Sequence, residues 1–173
     1  MIIWLNGTFG AGKTTTAKEL TALLPEARLF DAEQVGYMLR HVLDSVPVKN
    51  FQDWPPWRSL VVETAAQVLD YLGGTLVVVQ SVLVEGYWAE IRDGLRRAGI
   101  PVHHFVLHAD REVMVRRIEA DDSLESGGAR QWRLDHLAAY EGARAWLGRE
   151  GEVVDTTRVG APEAARLIAS RVS

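Results

Sequence analysis

The sequence predicts an α/β fold in which helices cover both faces of a parallel sheet. Three observations lead there. An apolar run, Ile2-Ile3-Trp4-Leu5, enters Gly7-Thr8-Phe9-Gly10-Ala11-Gly12-Lys13-Thr14, and a helical pattern follows over residues 13–24. Strand and helix patterns then alternate along the chain, as crossover connections between parallel strands require. Residues 75–80 form an unbroken apolar run and 102–108 read as a second buried strand, the mark of strands covered on both faces.

Taken in order, the first helix turns Ala17, Leu20 and Leu24 inward and stops near Pro25. Residues 28–30 are a short second strand with Asp31 at its carboxyl end, the end where open α/β sheets bind ligands. A helix is expected over 32–43, then a polar, aromatic and proline-rich stretch over 46–56. Trp57, Leu60, Val61, Thr64, Ala65, Val68 and Leu69 keep helical spacing until Gly73-Gly74. After strand 75–80, Trp88, Ile91, Leu95 and Ala98 form a helical stripe. After strand 102–108, Asp110 is expected to cap a helix with Arg116 and Arg117 near its end. Residues 119–129 are acidic, contain Gly127-Gly128, and are expected to form a mobile lid, the lid region extending to 133. Arg130 and Arg133 share one face of the next helix. A last strand, 152–154, leads to Asp155-Thr156-Thr157, and a final helix starts at Pro162.

The chain has 173 residues, 47% of them hydrophobic, with net charge −4, so it is read as one domain with a full core, 1–173. The acidic balance and the absence of a basic tract argue against a nucleic-acid partner. With no cysteine, disulfides, zinc-thiolate sites and thiol nucleophiles are excluded. The opening residues enter a strand at once, so no signal peptide is expected, and no apolar stretch reaches membrane-spanning length. A cytoplasmic protein without membrane contact, a monomer or a homodimer, is expected.

The glycine stretch reads G-x-x-x-x-G-K-T, the phosphate-binding P-loop pattern. Its fixed positions arise by chance in about one chain of this length in a hundred, so the flanking strand and helix decide the reading. A polyphosphate needs many donors converging on a small volume. Main-chain N–H groups supply them where glycines let the backbone curl, and the following helix adds its positive end. ATP is therefore expected on Gly7, Thr8, Phe9, Gly10, Ala11, Gly12, Lys13, Thr14 and Thr15. Lys13 places a cation against the terminal phosphates, and the Thr14 hydroxyl is the expected Mg²⁺ ligand.

These pieces resemble the nucleoside-monophosphate-kinase-like branch of P-loop proteins, which includes shikimate, gluconate and chloramphenicol kinases. Residues 1–14, Asp31-Ala32-Glu33 with Gly36, Phe51-Gln52-Asp53-Trp54-Pro55-Pro56-Trp57-Arg58 and Val102-His103-His104-Phe105 look like the ATP-binding tunicamycin resistance proteins. The resemblance implies a three-layer α/β/α P-loop NTPase with a five-stranded parallel sheet of order 2-3-1-4-5. It also implies a kinase-like lid bearing arginines and a substrate pocket beside the second strand. One departure stands out. The strand over 75–80 ends in Gln80-Ser81, where relatives often carry an acid. Mg²⁺ then falls to Thr14, phosphate oxygens, water and Asp31.

Asp31 is the expected catalytic carboxylate, able to orient and deprotonate an attacking hydroxyl; as the alternative it caps the helix behind it. Glu33 is a second candidate on the same turn. Arg116, Arg117, Arg130 and Arg133 are candidates for the transferring phosphoryl group, Arg117 and Arg130 being favoured. Phe51, Trp54, Trp57 and Arg58 are the expected acceptor-site residues, with Trp54 the better pocket residue and Trp57 equally suited to the core. Indoles suit stacking on the uracil of a tunicamycin-like nucleoside. Three functions stay open: ATP-dependent phosphorylation of such a nucleoside, its nucleotide-gated sequestration without transfer, or phosphorylation of a small metabolite.

Overall fold

The computed structural model describes residues 1–121 and 127–172. β1 (Ile2–Asn6) is buried along its whole length. It lies between β3 (Thr75–Val79) and β4 (Val102–His108), with Ile3 opposite Val77 on one side and His103 on the other. β2 (Ala27–Phe30) pairs with β3, and β5 (Glu152–Asp155) with β4, all in parallel. The order β2-β3-β1-β4-β5 is the one the resemblance implies. β1 is the middle strand, with β3 and β4 as its neighbours and helices above and below, and all five of its residues are buried. The edge strands β2 and β5 are partly exposed.

Side chains alternate between the faces of the sheet. Ile2 and Trp4 join Leu76, Val78 and Val106 in one core, with Leu39, Trp57, Ile91, Met114 and Leu137 packed over them. These last five come from α2 (Glu33–Val42), α3 (Pro55–Leu72), α4 (Glu85–Arg97), α5 (Arg111–Glu119) and α6 (Gly127–Glu150). Ile3 and Leu5 join Val77, Phe105 and Leu107 in the other core. There α1 (Lys13–Leu23) supplies Leu20 and α7 (Ala161–Val172) supplies Ile168. Each fully buried aliphatic side chain is worth about 1.5–3 kcal/mol, so the central strand holds more of the stability than the edges.

Several expectations are refined. α3 begins at Pro55, two residues ahead of Trp57, because a first-turn proline has φ preset and no N–H to satisfy. The stretch before it is ordered by a 3-10 turn, Phe51–Asp53. There the Asn50 side chain accepts from the Gln52 N–H at 3.0 Å, and Asp53 accepts from the Asn50 N–H at 3.2 Å. Asp110 stands at the start of α5 but its side chain makes no cap; its N–H instead donates to Thr157 Oγ1 at 2.9 Å. Of the expected lid, residues 122–126 lie outside the described residues. Among the described residues no helix is long and apolar enough to cross a membrane.

Candidate active site

The glycine loop turns through positive φ at Gly7, Gly10 and Gly12. A Cβ on Gly7 would lie 2.3 Å from the Leu107 carbonyl oxygen, and one on Gly10 would lie 2.6 Å from that of Met114. Glycine is thus needed for packing against β4 and α5 as well as for the turn. No side chain caps α1, so its first-turn N–H groups are left for a ligand. They border a cleft of 540 Å³.

Arg117 and Thr156 hold the loop from the β5 side. Arg117 donates to the Gly10 oxygen at 3.1 Å and to the Thr156 oxygen at 2.8 Å. Thr156 Oγ1 lies 2.9 Å from the Ala11 oxygen and 3.0 Å from that of His108, donating to one at a time. Inside the loop, Lys13 Nζ donates to the Thr8 oxygen at 2.8 Å. Burial pushes its ammonium down to about 8, with Glu33 pulling it back up and Arg133 adding to the fall.

The two acids of Asp31-Ala32-Glu33 are placed differently. Asp31 Oδ1 accepts from the Glu33 N–H at 3.0 Å, and Oδ2 accepts from Gln34 Nε2 at 2.9 Å, so both oxygens serve the start of α2. Asp31 lines neither the cleft nor the cavity beside it; Glu33 lines both. Burial raises the proton affinity of the Glu33 carboxylate, Asp31 raises it further, and Lys13, Arg133 and Arg40 oppose the rise.

The neighbouring cavity measures 510 Å³ and shares Phe9, Glu33, Gln80, Ser81 and Arg133 with the cleft. Tyr37, Phe51, Tyr87, Trp132 and His136 bring rings to it from four elements. Phe9, near the tip of the loop, meets Trp132 at 5.1 Å and His136 at 5.7 Å between ring centroids. Arg133 pairs with Asp121 at 2.7 Å, and its guanidinium carbon lies 5.2 Å from the Phe9 ring centre. Gly36 makes room for Phe51, whose ring a Cβ there would approach to 2.7 Å.

Other expected residues lie elsewhere. Trp57 is fully buried in the core, its indole donating to the Ala32 oxygen at 3.1 Å. Trp54 is buried too, donating to the Val46 oxygen at 3.0 Å. Arg58 pairs with Glu90 at 2.6 Å rather than with Glu63 or Asp53, and donates to the Gln52 oxygen. Arg130 borders neither space, and its Nε has no hydrogen-bond partner among the described residues. Of Phe51, Trp54, Trp57 and Arg58, expected at the acceptor site, only Phe51 lines the cavity. Tyr37, Tyr87, Trp132 and His136 escaped sequence reading because their spacing carries no shared period.

A family model described as an AAA domain matches residues 3–133. The tunicamycin resistance protein of Deinococcus radiodurans has 30% identity and a TM-score of 0.73, with 99% of this chain and 95% of that one covered. The chain belongs to the AAA-domain family of P-loop proteins, in the tunicamycin resistance branch. A sugar kinase from Janibacter shares the fold at 17% identity and a TM-score of 0.72, with 99% of this chain and 93% of that one covered. A probable ATP-binding protein, YheS of Haemophilus influenzae, is 39% identical over 75 residues; the match spans 41% of this chain and 12% of that protein.

Membership fits the loop geometry, and the protein is a nucleotide binder with a kinase-like fold. The described residues contain no group of three or more His, Cys, Asp or Glu side chains able to hold a metal. The Thr14 hydroxyl lines the cleft, and Gln80 carries a buried side-chain oxygen without a partner where β3 ends. Such a donor set fits Mg²⁺, which keeps water and phosphate oxygens as most of its ligands.

Proposed function

We propose that this protein transfers the terminal phosphate of ATP to a hydroxyl of a tunicamycin-like nucleoside. The observation that carries the reading is Glu33, a carboxylate with raised proton affinity in the wall common to the phosphate cleft and the aromatic cavity. The acceptor class is drawn from the similarity to the Deinococcus protein.

Main-chain N–H groups of the loop beyond Gly7, whose own N–H donates to Asn6 Oδ1 at 2.8 Å, wrap the phosphates, and Lys13 neutralises their terminal charge. Glu33 accepts the proton of the acceptor hydroxyl as its oxygen bonds to phosphorus. The bond from phosphorus to the bridging oxygen breaks, and ADP leaves with that electron pair. Arg133, at the junction of the two spaces, faces the charge spread over the equatorial oxygens. Arg117 keeps the loop in shape through its two carbonyl contacts. When bound, Mg²⁺ would draw charge off the phosphates, and Thr14 would be its protein ligand.

A second reading rests on Gln80. A neutral side chain at the end of β3 favours sequestration, in which nucleotide gates drug binding and no phosphate moves. The experiment is incubation with tunicamycin and Mg-ATP labelled on its terminal phosphate, followed by mass spectrometry of the drug. Label on the drug is expected; tight binding without label would replace the kinase reading with sequestration.

A further inference from the structure

We propose that Trp132 is the stacking surface for a planar heterocycle of the acceptor. The inference rests on the aromatic cavity being the acceptor site. The chain has six tryptophans. Five of them are at most 7% exposed, whereas Trp132 is 48% exposed. Leaving an indole open forfeits burial worth a few kcal/mol, so its place calls for an explanation that core packing does not supply.

That place is specific. Trp132 sits in the second turn of α6, borders the 510 Å³ cavity, and is held there by His136 at 4.0 Å and Phe9 at 5.1 Å between ring centroids. Tyr37, Phe51 and Tyr87 enter the same cavity from α2, the 3-10 turn and α4. Polar side chains such as Arg40, Lys49, Asn50 and Asp53 also line the cavity, but the feature that sets it apart is its rings. Rings on several sides match a flat π-system. The ligand class is therefore a nucleoside or other planar heterocycle, with its reactive hydroxyl directed to Glu33.

The test titrates the intact protein with uridine and with N-acetylglucosamine by calorimetry, for wild type, Trp132→Phe and Trp132→Leu, and measures Mg-ATP affinity for each. Uridine is expected to quench wild-type tryptophan fluorescence. Trp132→Leu is expected to bind uridine at least about fivefold more weakly, stacking on a base being worth about 1–3 kcal/mol. Mg-ATP affinity should stay within about threefold, and Trp132→Phe should retain uridine binding within about threefold because a ring remains. Four results would overturn the assignment: no uridine binding by wild type, unchanged uridine binding by Trp132→Leu, a phenylalanine variant as weak as the leucine one, or N-acetylglucosamine bound as tightly as uridine. Loss of Mg-ATP affinity in Trp132→Leu would also overturn it, by making the residue a prop for Phe9. The assay reads binding alone, so a protein that stacks uridine on Trp132 yet moves no phosphate sinks only the kinase reading.

Discussion

The main-chain N–H of Glu33 donates to Asp31 Oδ1 at 3.0 Å, and through that bond the two acids of one short motif take separate work. Asp31 organises the first turn of α2; Glu33, two residues on, lines both the cleft and the cavity. Glu33→Gln is expected to lower the phosphotransfer rate by about 10²–10⁴-fold, the usual worth of a positioned general base, with Mg-ATP affinity little changed. Asp31→Asn retains a turn-forming side chain and should cost much less. Single-turnover rates of the two variants decide it, and a larger loss in Asp31→Asn would return the base to Asp31.

Lys13 should make the free protein less stable than it would be without that charge. Its folded-state value of about 8 lies below the ordinary 10.5 because burial disfavours the ammonium. Below pH 8 both folded and unfolded chains carry the proton. Between pH 8 and 10.5 the unfolded chain holds it and the folded chain does not, so stability of the nucleotide-free protein rises with pH across that window. Lys13→Met should raise stability at pH 7 by about 1 kcal/mol or more while abolishing ATP binding. Denaturant melts check the first part. Calorimetry at pH 8.5 in buffers of different ionisation enthalpy checks the accompanying expectation that wild type takes up a proton as the phosphates arrive.

Gly36 is the contact through which α2 admits the Phe51 ring. In Gly36→Ala the new methyl group would meet ring carbons at 2.7 Å, so the ring must move and with it one wall of the cavity. The expected outcome is a loss of about 1–3 kcal/mol of stability and an acceptor KM raised more than the KM for ATP. Equal changes in both would show that the ring is not part of the acceptor wall.

His104 should set the acid limit of the fold. It is buried against Trp88 at 4.0 Å between ring centroids, with Nδ1 at 3.0 Å from the Glu150 oxygen and Nε2 at 3.3 Å from Asn6 Nδ2. The Glu150 carbonyl can only accept, so Nδ1 carries the hydrogen and Nε2 accepts from Asn6. Burial pushes the ring down to about 4 from an ordinary 6.5. Between those values the unfolded chain binds a proton that the native chain refuses, so stability falls as pH drops from 6.5 to 4. The loss should total about 2–3 kcal/mol. Denaturant melts at four pH values should give a shallower decline in His104→Gln.

The sequence by itself determined the phosphate loop, because its chemistry is local: glycines at fixed offsets, Lys13, and a strand and helix on either side. It determined the alternation of strands and helices for the same reason, since apolar spacing of two or of about 3.6 is written in consecutive residues. Tertiary structure decided which acid lines the cleft. The chain alone favours Asp31 over Glu33, and only the turn of α2 shows that Glu33 is the one facing inward. It also decided which aromatics form the cavity. Trp54 and Trp57 read as pocket residues but are drawn into the core by carbonyls of Val46 and Ala32, whereas Tyr37, Tyr87 and Trp132 are brought together by helices far apart in sequence. A wall assembled from separate elements has no period along the chain, and so no signal before the chain folds.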